Sequence, residues 1–132
     1  MIDDAADRGA RALLREYVEF WERLLADGNF NAGCPVVAAA IGSADDGLEL
    51  STDAGIILCR WCTALTRAFV ADGFEDADAA SLAVMSIAAL EGGIVLSRST
   101  RSAEPLRQVG EQLEFLVKAR EFVVRNGIPE KR

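Results

Sequence analysis

The chain has 132 residues, 51% of them hydrophobic and only three proline, which is enough for one domain with a real core and excludes a disordered chain. Its formal charge of −7 argues against a surface that grips nucleic-acid phosphates or an anionic membrane. Histidine is absent and cysteine occurs only three times, which removes Ser-His-Asp and Cys-His catalysis, His-ligated metals and a disulfide framework.

Residues 3 to 27 read as a long amphipathic helix. Leu14, Tyr17, Trp21 and Leu24 fall on one stripe, with Leu13 and Phe20 beside it. Arg11, Arg15, Glu19 and Arg23 lie four apart on the outer face, with mixed signs that can pair. Gly28 and Asn29 stop the helix. It starts with almost no lead-in, so we expect either a truncated chain or a sensor without its upstream domain. No charged-then-apolar leader pattern opens the sequence, and a reducing cytoplasm suits the odd cysteine count.

Residues 28 to 35, GNFNAGCP, form a loop in which Pro35 holds Cys34 extended. A short apolar helix over 36–44 follows, broken by Asp45, Asp46 and Gly47. Residues 48 to 72 make the next long helix, with Leu58, Trp61, Leu65 and Phe69 as core stripe, ending at Gly73. Asp76 or Asp78 is a good N-cap for the helix over 78–98. Pro105 begins the last helix, 104–124, at its first turn, where the missing N–H costs nothing. Leu106, Val109, Leu113, Leu116, Val117 and Val123 form its apolar stripe, and Asn126, Gly127 and Pro129 end it before a loose tail. No period-2 strand pattern is present, so the chain reads as one all-α domain over 1–132.

The helix over 78–98 is the unusual one. Glu91 is its only charge between Ala79 and Leu96. Leu82, Met85, Ala89 and Leu96 follow helical spacing on one face, and Val84, Ile87, Ala88, Ile94 and Val95 follow it on a second. A helix apolar all round is covered on both sides. A domain of this size supplies one covering layer, and a second copy of the chain is the simplest source of the other. A transmembrane reading meets Glu91, the Gly92-Gly93 pair and acidic flanks, and is set aside.

Cys59 and Cys62 make a C-x-x-C in mid-helix with no strand before it, so they read as core thiols rather than a redox or metal motif. Glu91 is either a pocket carboxylate or half of an ion pair with an arginine across a subunit boundary, and the pair is favoured. Trp21, Trp61, Phe69 and Met85 either line a ligand cavity or fill the core, with core the commoner outcome.

Several landmarks, in this order and spacing, resemble the C-terminal ligand-binding and dimerisation domain of TetR-family regulators, the LmrA/YxaF-like subgroup most of all. They are Gly33-Cys34-Pro35-Val36, then Ala68-Phe69-Val70 with Gly73-Phe74. Ala88-Ala89-Leu90-Glu91-Gly92-Gly93 comes next, with Leu96-Ser97-Arg98 and Arg101-Ser102-Ala103-Glu104-Pro105-Leu106. The likeness spans about residues 10 to 120. It implies a five-helix domain whose last two helices pair with the partner's as a four-helix bundle in a cytoplasmic homodimer. The interface would use Leu82, Ala89, Gly92, Gly93, Leu96, Leu106, Val109, Leu113 and Leu116. It also implies a small apolar or aromatic effector, lined by Trp21, Cys34, Val37, Trp61, Leu65 and Met85. Effector binding would release DNA through a helix-turn-helix not present in this chain. No catalytic residue, metal or cofactor is expected, and no membrane. The alternative is a stand-alone dimeric interaction protein without a ligand.

Overall fold

The computed structural model describes residues 9–42 and 47–128. Residues 3–8 and 43–44, expected to be helical, lie outside that range, as do Asp45, Asp46 and the tail beyond Ile128. The described residues form five helices and no strand: α1 Ala10–Asp27, α2 Pro35–Ala40, α3 Gly47–Ala71, α4 Asp76–Thr100 and α5 Glu104–Asn126.

Helix α4 is the centre of the bundle, packed against α1, α3 and α5, while α2 lies against α3 and α1 closes on α5. Leu25, Leu65, Phe69, Leu90, Ile94, Leu106 and Val117 are fully buried where these helices meet. Each joint has a local cause. The start of α1 is held by the Asp72 carboxylate, which accepts the Ala10 N–H at 2.9 Å from the α3–α4 turn. Its end folds back through Phe30, whose N–H reaches the Leu25 carbonyl at 2.8 Å, with Asn29 and Phe30 both at positive φ. Helix α4 ends likewise on Arg101 in the left-handed region, with the Ser102 N–H on the Ser97 carbonyl at 3.0 Å. The Arg101 guanidinium then donates to the Asn29 carbonyl at 2.8 Å and ties the two turns together.

Three expectations are corrected. The residue that caps α4 is Glu75, without a side-chain cap bond. Asp76 and Asp78 sit inside the first turn, where negative charge still complements the helix end. Arg11 and Arg15 find partners off their own helix: Arg11 reaches Glu121 at 3.2 Å and Arg15 reaches Glu114 at 2.7 Å, and Glu22 likewise reaches Arg107 at 3.4 Å, all on α5. The faces of α4 are also phased differently. Leu82, Ile87, Leu90 and Ile94 point inward, and Val84, Met85, Ala88, Val95 and Leu96 point out. A helix apolar at almost every position carries no phase of its own, and the neighbours set which side is buried.

By length and composition, Ser51–Ala71 and Asp76–Thr100 could each cross a membrane; half of the most apolar window of α4 is instead buried inside the protomer.

Candidate functional site

Glu91 is the one charged side chain buried among the described residues, at 6% exposure. Within the protomer its partner among the described residues is a tyrosine. The Tyr17 hydroxyl, one helix away on α1, donates a short hydrogen bond to Glu91 Oε1. The second oxygen, Oε2, is buried with no hydrogen-bond partner among the described residues. Burial, then the hydrogen bond and charge of Glu91, push the Tyr17 phenol far above its ordinary range, so it stays protonated and donates. The Cys34 thiol, buried at the start of α2, is pushed up by burial first and then by the charge of Glu91. Phenol, carboxylate and thiol therefore come together from α1, α4 and the α2 entry.

Beside this cluster a cavity of about 380 Å³ lies between α2 and the C-terminal half of α4. Cys34, Pro35, Val37, Ile94 and Val95 give it apolar walls, and Arg98 stands at its edge. A Cβ on Gly33 would sit 3.2 Å from Arg98 Nη1, so glycine there lets the guanidinium lie across the loop.

A second feature is a groove of about 540 Å³ on the outer side of α4 and α5. Met85, Ala89, Leu96, Val109, Phe115 and Leu116 line it. Phe115 is 72% exposed and Leu96 54%, and Val84 and Val95 extend the apolar surface. A third hollow, about 300 Å³ between α1 and α5, has a floor of Leu14, Val18, Leu90 and Leu113. The Arg15–Glu114 and Arg107–Glu22 pairs border it.

The expected effector-lining residues do not all converge. Cys34 and Val37 share the α2–α4 cavity. Trp21 is buried in the core, its ring centroid 6.4 Å from Tyr17 and 5.9 Å from Phe20. Leu65 is fully buried, and Trp61 packs half-buried against the core from α3. Met85 lies in the α4–α5 groove. Of the residues expected at the association face, Ala89, Leu96, Val109 and Leu116 line that groove and Gly92 is exposed beside it. Leu82, Gly93 and Leu106 are instead buried within the protomer; Leu113 is buried too, although it touches the groove floor.

Sequence reasoning missed Tyr17, Ile94 and Arg98 as site residues. The one available signal was the Tyr17 hydroxyl, which needs a partner once its ring is on a buried stripe. The thiols divide differently from expectation: Cys34 is buried, Cys62 half-buried and Cys59 exposed. No group of three metal-ligating side chains occurs among the described residues.

The described residues thus form an all-α bundle with a mainly apolar hollow between α2 and α4 and an open apolar face on α4 and α5. The family described as Transcriptional regulator LmrA/YxaF-like, C-terminal domain, matches residues 10–112, and the chain belongs to it, within the TetR-type regulators. Similar curated proteins are the Uncharacterized HTH-type transcriptional regulators MT0206 and Rv0196 of Mycobacterium tuberculosis, strains CDC 1551 / Oshkosh and ATCC 25618 / H37Rv. Each is 32% identical over 124 residues, which is 90% of this chain. The chain spans 63% of the length of these relatives. No solved structure matches it.

Proposed function

We propose that this chain is the effector-binding and dimerisation domain of a cytoplasmic transcriptional repressor, with no catalytic role. DNA is bound through a helix-turn-helix carried outside residues 1–132, and a small apolar or aromatic effector is bound in the cavity between α2 and α4. The observation that carries the reading is the open apolar face of α4 and α5 in a family of transcriptional regulators. Exposed apolar surface of this kind, flanked by polar Gln108 and Gln112, marks an association site. A two-fold axis through it brings α4 and α5 of one protomer against the same helices of its partner as a four-helix bundle. Gly92 meets nothing within 4 Å, which leaves room for a partner helix to come close.

Signal transmission follows from the joints. The start of α1 is clamped by Asp72 from the α3–α4 turn and by Glu121 from α5. An effector that favours one spacing of α2 and α4 biases α1 through those contacts, provided its affinity differs between the two arrangements. Replacing Gly92 by arginine tests the association face. We expect a helical protein with the mass of one protomer by light scattering. An undiminished dimer would exclude this face.

A further inference from the structure

The unsatisfied oxygen of Glu91 and the cavity beside it belong to one arrangement. A buried carboxylate oxygen is stabilised by a donor; Tyr17 is committed to the other oxygen, and the Cys34 thiol beside Glu91 is only a weak donor. Cys34 lines the cavity and its thiol also interacts with Glu91, so this one residue connects the two. Along α4, Glu91, Ile94, Val95 and Arg98 follow the spacing of one helix side, with Ile94, Val95 and Arg98 on the cavity wall. Arg98 lies about 10 Å of helix rise beyond Glu91, and its exposed guanidinium has no ion pair among the described residues. The walls between are apolar. The space thus has a cation at its mouth, a hydrophobic middle and, at the Cys34 end, the Glu91 acceptor lying behind the thiol.

We propose that the α2–α4 cavity binds a small aromatic acid bearing a hydroxyl at the end opposite its carboxylate, the hydroxyl donating to Glu91 Oε2 past Cys34 and the carboxylate pairing with Arg98. This rests on the effector-domain reading and names its ligand class. The hydroxyl supplies the missing donor as a charge-assisted hydrogen bond, and the guanidinium recognises the carboxylate at its wet rim.

The test is calorimetric titration of the whole chain with phloretate, a para-hydroxyphenyl propanoate. Hydrocinnamate lacks the hydroxyl and phloretamide lacks the charge. Phloretate is expected to bind about tenfold or more tightly than either, the scale of one lost hydrogen bond to a charged group. Arg98→Gln should erase the preference for acid over amide, and Glu91→Gln the preference for the hydroxyl. Should Glu91→Gln fail to fold, Cys34→Leu closes the gap without touching the carboxylate and should cost the same preference. Ala38→Phe fills the cavity from an exposed position on α2 and should abolish binding with the melting temperature unchanged. Equal affinity for the three probes, or no binding of any, overturns the proposal. Phloretate binding undiminished by Ala38→Phe overturns this site while leaving the effector-domain reading intact; a monomeric wild-type chain would strike that reading instead.

Discussion

Replacing Tyr17 by phenylalanine isolates the buried phenol–carboxylate contact. The ring stays, with its packing on Trp21, so no cavity opens. What is lost is the phenol donor to Glu91 Oε1, which leaves a buried carboxylate with no strong donor among the described residues. A hydrogen bond to a charged group contributes about 1.5–3 kcal/mol. At about 2.1 cal/mol/K per residue, the melting entropy of 132 residues is about 280 cal/mol/K, so each kcal/mol moves the midpoint by about 3.6 °C. Tyr17→Phe should therefore melt about 5–11 °C below the wild type by circular dichroism at neutral pH. Protomer concentrations must match, because association itself raises the midpoint. The double replacement Tyr17→Phe with Glu91→Met removes both polar groups and should recover much of the loss, since the penalty comes from the unpaired charge and not from the missing contact. A single variant within about 2 °C of wild type, or a double variant that melts lower still, would refute this reasoning.

Other expectations follow from the same geometry. At Gly93 a Cβ would stand 3.3 Å from Leu106 Cδ1 and from Val109 Cγ2, so Gly93→Val should cost about 1–3 kcal/mol by overpacking in denaturant titration. Gly55→Ala, within α3 and away from the outer face of α4 and α5, meets open space and should gain up to about 1 kcal/mol of helix propensity. Cys34 and Tyr17 bind their protons more tightly folded than unfolded. Stability is thus complete below the ordinary thiol value of 9.0, falls as pH rises past it, and falls faster above the ordinary phenol value of 10.0. Tyr17→Phe should remove the steeper upper arm of that profile in melts from neutral to strongly alkaline pH. In native protein a disulfide-exchange reagent should label exposed Cys59 before buried Cys34, whose thiol is held protonated; mass spectrometry showing the reverse order would contradict the burial described.

Much of the fold was legible because each helix carries its own punctuation. Gly28, Pro35, Gly73 and Pro105 mark ends that the structure places within a residue or two. The site was less legible, for two physical reasons. Helix α4 is apolar on every side, so spacing alone could not say that Leu82 and Gly93 face inward while Val84 and Val95 face outward. The partner of Glu91 lies 74 residues earlier in the chain, and no local pattern announces a contact of that range. Charge was an incomplete guide there: a buried acid suggested an arginine, and within the protomer the fold supplies a phenol. Cys59 misled in the opposite sense, because an apolar neighbourhood in sequence does not bury a residue on the outer side of α3. Gly33 and Arg98 were read as family landmarks, and only the packing of the α2 entry on α4 shows that they meet.

The central claim is that the outer face of α4 and α5 is covered by a second copy of the chain. Sedimentation equilibrium of the wild-type protein at micromolar concentration tests it most directly. The account predicts a species of twice the 14.2 kDa protomer mass, reverting to one protomer in Gly92→Arg. A well-behaved wild-type species at the single protomer mass would contradict it.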